Sequence, residues 1–368
     1  MAVLQKIVIQ DFRNIQLQEM NFSPNINCIS GGNGEGKTNL LDAIWYLSMT
    51  KSAFSSSDRF NFRYGTSAFA LSGTYDMPGA PASRFSIRVS ADGAQKLVKR
   101  DDKPYARISD HIGVLPIVMV SPADTAMVSE SGEERRKFVN SVLSQMDRAY
   151  LSDVQQYNRY LLQRNKLLKA GVWDESLLGT FDERLSALAR PVYERRAAFC
   201  GSLLPIVQQY YREISGGREQ VGIEYRSDLS AGDLLETLRQ RREKDRIFRF
   251  TTAGVQRDDF LFTMDGHPIR RCGSQGQQKS FLVALKFAQY EVMKSACGTP
   301  PIMLLDDLFD KLDMNRVGNL LRMVADKEFG QIFLTDSNKV RTGSIVDTLT
   351  SDRSYFETAG GVFTPVNE

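Results

Sequence analysis

Histidine is nearly absent from this chain: its 368 residues hold only His111 and His267. That argues against a histidine-based metal centre and against a Ser/His/Asp triad. Cysteine is scarce as well. Cys28, Cys200, Cys272 and Cys297 form no C-x-x-C pair, so they read as free thiols of a reducing cytoplasm, not as zinc ligands or disulfides. No apolar run is long enough to span a bilayer, and residues 1–9 read as a strand, not as the core of a signal peptide. The expectation is a cytoplasmic protein with no membrane segment. Neither charge sign dominates: 47 basic residues face 44 acidic ones, a formal net charge of +3. Any basic footprint for nucleic acid must therefore be local. There is no internal repeat, no low-complexity tract and no sustained heptad run that would announce a long coiled coil. The length allows two domains.

What is present is a phosphate-binding loop. Gly31-Gly32-Asn33-Gly34-Glu35-Gly36-Lys37-Thr38 fits G-x-x-x-x-G-K-[ST] at every fixed position. Its glycines let backbone N–H groups curl around a triphosphate where a Cβ would block the approach. Lys37 can reach the β- and γ-phosphates, and the Thr38 hydroxyl can ligate Mg²⁺. Asn27-Cys28-Ile29-Ser30 reads as a strand entering the loop. Leu40, Ile44 and Leu47 follow at helical spacing, which puts the phosphates at a helix N-terminus. This context indicates a nucleoside triphosphatase or kinase, and the motif alone does not choose.

A second motif lies far downstream. Pro301-Ile302-Met303-Leu304-Leu305 is an apolar run ending in Asp306 and Asp307. A continuous apolar strand suits a parallel sheet covered on both faces, and ligands bind at the C-terminal ends of such strands. Asp306 is expected to hold Mg²⁺ through water, and Asp307 to polarise the attacking water. Leu308 to Asp313 resembles the D-loop that follows this strand in ABC-type ATPases. Gly330 to Asp336 reads as a further sheet strand. Thr335-Asp336 stands at its end, where many transporter ATPases carry a histidine.

The third motif separates classes. Ser274-Gln275-Gly276-Gln277-Gln278-Lys279 follows Arg270-Arg271 and precedes a helix with Phe281, Leu282, Leu285 and Ala288 on its apolar side. It reads either as an ordinary N-cap on Ser274 or as a second anion-binding helix N-terminus. ABC-type ATPases use such a terminus on the facing subunit of an ATP-sandwiched dimer. Between the first and third motifs the chain holds two or three helices of globular length. Tyr150, Val154, Tyr157 and Leu161 mark one packing face. Leu185, Leu188, Val192 and Phe199 mark another, with Pro191 as a kink or boundary. Arg135-Arg136-Lys137, Arg195-Arg196, Arg239-Gln240-Arg241-Arg242 and the run from Lys96 to Lys103 are local basic clusters. Each is readable as a DNA phosphate contact or as a solvated face balanced by acids such as Glu133-Glu134.

Along most of its length the chain resembles the RecF family, compact ABC-type ATPases of bacterial recombinational repair. Asp11-Phe12-Arg13-Asn14 matches that family's D-F-R-N, and Asn33 to Ile44 tracks its N-G-Q-G-K-T-N-L-L-E-A-I. Tyr160 to Leu168 matches its helical insert. Arg257-Asp258-Asp259-Phe260, Ser274 to Gln278, Leu304 to Asp307 and Leu312-Asp313 match the remaining motifs. Three departures stand out. Gln256 replaces a family histidine, Asp310-Lys311 replaces Ser-Glu, and Ser121-Pro122-Ala123-Asp124 leaves the Q-loop residue unassigned.

The resemblance implies an α/β fold: an ABC-type ATPase head with a P-loop and mixed sheet, plus an inserted α-helical domain. Residues 1–118 and 247–368 would form the head and 119–246 the insert. ATP would contact Arg13, Asn14, Gly31 to Thr38 and Asn39. Lys37, Asp306 and Asp307 would be catalytic, and Thr38 with Asp306 would hold Mg²⁺. Ser274, Gln275, Gly276 and Gln277 would act in trans, with Asp313 at the dimer seam. The implied activity is ATP-gated binding of duplex, gapped or junction DNA, with ATP-dependent homodimerisation and weak DNA-stimulated hydrolysis. The implied partners are RecR and RecO, and through them the recombinase RecA. A related ATPase adapted to another DNA or defence role remains the alternative.

Overall fold

The computed structural model describes residues 1–91, 96–171, 174–307, 329–337, 346–347 and 350–366. The chain divides into two compact units. The first comprises Met1–Asp124, Glu213–Gly216 and Leu282–Glu368; the second comprises Thr125–Arg212 and Gly217–Phe281.

Two sheets build the first unit. One is antiparallel, in the order β2-β1-β4-β5-β6-β7. It consists of β1 (Val3–Phe12), β2 (Ile15–Asn21), β4 (Ala68–Met77), β5 (Ala80–Ser90), β6 (Lys96–Arg100) and β7 (Lys103–Pro104). Period-two alternation suits a sheet with one face on the core, and β1 buries Leu4, Ile7, Ile9 and Phe12 on that face. The other sheet is mixed, in the order β15-β14-β3-β13-β12-β8. Here β3 (Ile26–Gly31), β8 (Ile117–Val120), β12 (Ile302–Leu305), β13 (Ile332–Asp336) and β14 (Arg353–Ala359) run parallel, and β15 (Val362–Pro365) closes one edge antiparallel. Every residue of β8 and β12 is buried, as their unbroken apolar sequences require. Helix α1 (Lys37–Met49) shares one apolar core with both sheets, so Leu41, Ala43 and Tyr46 are buried alongside Leu40, Ile44 and Leu47.

The second unit carries α2 (Ala126–Ser129), α3 (Gly132–Met146), α4 (Arg148–Ala170), α5 (Glu175–Ser215) as far as Arg212, α6 (Leu234–Gln240), α7 (Arg242–Phe248) and α8 (Ile269–Cys272). The predicted stripes are packing faces: Tyr150, Tyr157, Leu185, Val192 and Phe199 are all buried. Helix α5 runs unbroken through Pro191 and Pro205, so neither proline is a boundary. The unit also holds a three-stranded antiparallel sheet, β9 (Val221–Arg226), β10 (Asp259–Met264) and β11 (His267–Pro268).

That sheet corrects the expected domain limits. A cut at 118/119 would divide β8, whose residues pair in parallel register with β12. The chain enters the second unit only after Asp124. The return, expected at 246/247, falls at 281/282 because β10 and β11 pair with β9. The insert is therefore not purely helical. Helix α9 (Gln275–Cys297) starts in the second unit and finishes in the first. Among the described residues no helix is long and apolar enough to cross a membrane.

Candidate functional site

The phosphate-binding loop leaves β3 at Gly31 and enters α1 at Lys37. Gly32, Asn33 and Gly34 are exposed along its crest. Gly34 and Gly36 take φ of 84° and 111°, a region where a Cβ is strained, and this tight curl explains both glycines. The Lys37 ammonium lies back over the loop and donates to the carbonyls of Gly31 at 2.8 Å and Gly32 at 3.1 Å. A buried cation at the N-terminus of a helix entered through glycines is suited to receive an anion.

Strand order brings the second motif to this loop. β13 lies between β3 and β12, so the C-terminal ends of β3 and β12 face the same edge. Asp306 accepts from the Thr38 hydroxyl at 2.9 and 3.0 Å across 268 residues of sequence. A residue that sequence reasoning missed ties the two aspartates of the second motif together. Buried Thr335, at the end of β13, donates to Asp306 at 2.8 Å and accepts the Asp307 N–H at 3.0 Å. Burial pushes the Asp306 carboxyl pKa up. The Thr335 and Thr38 hydroxyls hold it down, Asp307 raises it further and Lys37 lowers it. Asp307 is half-buried, with φ of 43° as the chain turns out of the sheet. A hydroxyl and a carboxylate converging beside the loop form a hard oxygen set that fits Mg²⁺. Asp313 lies outside the described residues.

Arg13, Asn14 and Asn39 support the loop from behind. The Asn14 amide donates to the Glu35 carbonyl at 3.3 Å, and the Asn39 amide donates to Asn14 Oδ1 at 2.7 Å. Arg13 donates to Asn39 at 3.2 Å but commits its charge to the fully buried Asp42, at 2.7 Å. Burial raises the Asp42 carboxyl pKa and the Arg13 guanidinium opposes that rise. Two further Arg13 bonds reach Ser52 and Asn61. A clasp from the C-terminal hairpin completes the support. Gly361 N–H and the Thr358 hydroxyl donate to the Glu35 carbonyl at 2.9 and 3.1 Å, and Gly360 N–H donates to the Glu35 carboxylate.

The third motif forms in the second unit as a capping box. Ser274 accepts from Gln277 N–H at 3.3 Å, and Ser274 N–H donates to Gln277 Oε1 at 2.7 Å. The N-cap reading is thus satisfied, while Ser274 and Gln275 remain exposed. The Gln277 amide donates to Glu219 at 2.7 Å, and Glu219 also accepts from Tyr211 of α5 at 3.3 Å. Glu219 gave no signal in the sequence. The segment that leads into this motif is held by ion pairs: buried Asp258 with Arg196 at 2.5 Å, and half-buried Asp259 with Arg135 at 2.8 Å. Gln256, in the place of the family histidine, accepts from Tyr157 and donates to Ala253 O at 2.7 Å.

Most basic clusters are neutralised where they stand. Arg135, Arg195, Arg196, Arg241 and Arg242 each pair with an aspartate, and Lys137 sits on Glu133 and Glu134. Lys96 pairs with Asp58.

A family model described as an AAA domain matches residues 6–171. A protein named DNA replication and repair protein RecF from Bacteroides fragilis is 40% identical over all of this chain and 99% of its own length. Its namesake in Parabacteroides distasonis is 40% identical, with both chains fully covered. A solved structure of the recombination mediator protein RecF-ATP in the RecFOR pathway superposes with a TM-score of 0.89 at 26% identity, covering 100% of this chain and 98% of that one. An Smc head domain from Pyrococcus furiosus shares the fold, with a TM-score of 0.59 at 14% identity, covering 100% of this chain and 96% of that one. Full-length identity at this level, on a P-loop head with these three motifs, makes the chain a member of the RecF family of DNA replication and repair ATPases.

Proposed function

We propose that the chain is an ATP-gated DNA-binding protein of recombinational repair and replication restart, working in the cytoplasm. The observation that carries this reading is the convergence of Thr38, Asp306 and Thr335 beside the Lys37 loop. Lys37 and the loop N–H groups would hold the β- and γ-phosphates of ATP. Thr38 and Asp306 would hold Mg²⁺, which would neutralise charge developing on the phosphates. Arg13, Asn14 and Asn39 act through the loop they brace. Asp307 would orient the attacking water. Aspartate is one methylene shorter than glutamate, so its reach is poorer and hydrolysis is slow, as suits a switch.

The exposed Ser274 and Gln275, with the half-buried Gly276 and Gln277 beside them, would meet the γ-phosphate of a partner protomer, and Asp313 would lie at that seam. ATP would then close a homodimer on duplex DNA at gaps or at double-/single-strand junctions. RecR and RecO would be its protein partners in helping to load RecA, and DNA would stimulate the weak ATPase. The RecF-ATP neighbour in the RecFOR pathway supports this reading.

The test is binding to gapped and intact duplex DNA with ATP, with ADP and without nucleotide, using Lys37→Met as control. Tight binding only with ATP, lost in the variant, is the expected result. Binding indifferent to nucleotide would transfer the switch to a protein partner. No binding in any state would end the DNA reading.

A further inference from the structure

Residues 246–250 form a knuckle whose exposure runs against its composition. In Arg246-Ile247-Phe248-Arg249-Phe250, Ile247 is 76% exposed, Phe248 53% and Phe250 39%. Apolar side chains left together in water mark a contact surface. The two rings lie beside each other, with centroids 5.8 Å apart and planes at 56°.

The second unit holds this knuckle rigidly at both ends. On the N-terminal side, Asp245 is fully buried and accepts from Arg164 at 2.7 Å and from Thr252 N–H at 2.8 Å. On the C-terminal side, Thr251 N–H donates to Asn165 at 2.8 Å, and the Thr251 hydroxyl accepts from Arg164 at 2.8 Å. Arg164 is itself buried and bonded to Asp182 at 2.8 Å. A buried arginine shared between carboxylates is a costly arrangement that fixes geometry. Here it fixes the base of an exposed apolar tip. Arg249, which ends α7, has φ of 57°, a left-handed cap where glycine is usual. The position carries a guanidinium despite that strain.

Charge indicates what the tip meets. Residues 239–250 hold six basic residues against Glu243 and Asp245, and Asp245 is spent on Arg164. Arg239, Lys244 and Arg249 are exposed with no ionic partner among the described residues. Lys244 and Phe248 are one helical turn apart on α7, so cation and ring share a face. Rings and cations interleaved on an exposed edge match a strand with unpaired bases, which offers π-faces and phosphates in alternation. Duplex DNA hides its faces and would use only the cations.

We propose that this knuckle is a stacking platform for single-stranded DNA, with Phe248 and Phe250 against bases and Lys244 and Arg249 on phosphates. The proposal rests on the DNA-binding reading above and assigns it a single-strand subsite. The test compares the full-length protein with a Phe248→Ala/Phe250→Ala double variant and a Phe248→Leu/Phe250→Leu double variant. Each is titrated with ATP onto an intact duplex, the same duplex with a gap, and an oligothymidine carrying 2-aminopurine. We expect duplex affinity unchanged and single-strand affinity down by roughly tenfold or more in both variants, with the 2-aminopurine quench lost. Leucine keeps bulk but not stacking, so full retention in that variant would overturn the platform in favour of apolar docking by a protein. Equal loss on duplex and single strand would overturn it too. If the unsubstituted protein binds no DNA at all, the underlying DNA reading fails instead.

Discussion

Replacing Thr335 by valine tests the hydroxyl that joins Asp306 to Asp307 at the end of the second motif. Valine keeps the shape of the buried side chain and removes only its hydroxyl. That hydroxyl donates to Asp306 at 2.8 Å and accepts from Asp307 N–H at 3.0 Å. A hydrogen bond to a charged group contributes about 1.5–3 kcal/mol, and a stranded N–H adds about 1 kcal/mol or more. The two losses share one site and are not additive, so we expect about 3 kcal/mol in all. With a urea m-value of about 2–3 kcal/mol per molar, the unfolding midpoint should fall by roughly 1 M.

The same change has a pH signature. Burial already raises the Asp306 pKa, and the Thr335 hydrogen bond opposes that rise by stabilising the carboxylate. Without the hydroxyl the folded-state pKa climbs further. A carboxyl raised on folding gains stability as pH falls through its folded pKa and weakens the fold above it. Ligation of Mg²⁺ needs the deprotonated form, so Mg²⁺-dependent ATP binding should fail at a higher pH in Thr335→Val than in the parent. Thr335→Ser should restore both readouts. Unchanged urea midpoint and pH profile in the valine variant would refute the argument that this hydroxyl joins Asp306 to Asp307.

Two further changes probe the supports. Glu219→Ala removes the acceptor of the Gln277 amide, and a charge-assisted bond of this kind is worth about tenfold in an equilibrium or rate. ATP turnover at high protein concentration should drop by about that factor while ATP affinity at low concentration holds, as read from kcat against protein concentration. Gly361→Ala builds a Cβ 2.5 Å from the Asn14 carbonyl at φ of 81°, whereas a Cβ on Gly360 meets nothing within 4 Å at φ of 57°. Both pay the left-handed cost of about 1–2 kcal/mol, but only Gly361→Ala should also weaken ATP binding, measured by calorimetry, because only it displaces the clasp on Glu35.

The P-loop was legible because its chemistry is local: glycines at positive φ, a lysine and a hydroxyl within eight residues. Asp306 was legible because a buried parallel strand has a continuous apolar run, and the first carboxylate after it marks the strand's C-terminal end. Thr335 was visible only as the end of a strand. Its role depends on β13 lying between β3 and β12, which no local pattern states. Arg13 was singled out in the sequence, but its partner Asp42 lies inside α1 behind Lys37, Thr38, Asn39 and two leucines, and nothing nearby predicts the ion pair. The basic clusters left both readings open for the same reason, since Arg135 and Arg196 find their aspartates more than 60 residues later, at Asp259 and Asp258.

The domain limits show the same division between local and distant information. The alternation of Phe260, Phe262 and Met264 announces a strand with one buried face. It does not say which sheet the strand joins. Because β10 pairs with β9, the residues that run into Ser274 belong to the insert and not to the head. Tyr157 on α4, Arg196 on α5 and Arg135 on α3 then bind Gln256, Asp258 and Asp259 in succession. Buried ion pairs contribute little net stability but hold one geometry against alternatives. The Tyr160 to Leu168 match acquires a physical reason on the same terms. Arg164 and Asn165 within it anchor Asp245 and Thr251, on either side of the exposed knuckle. The segment leading into the Ser274 motif and the segments flanking the knuckle are thus both held by polar residues largely buried in the second unit. Those residues carry no recognisable chemistry of their own in the sequence, and their function is to fix the position of residues that do.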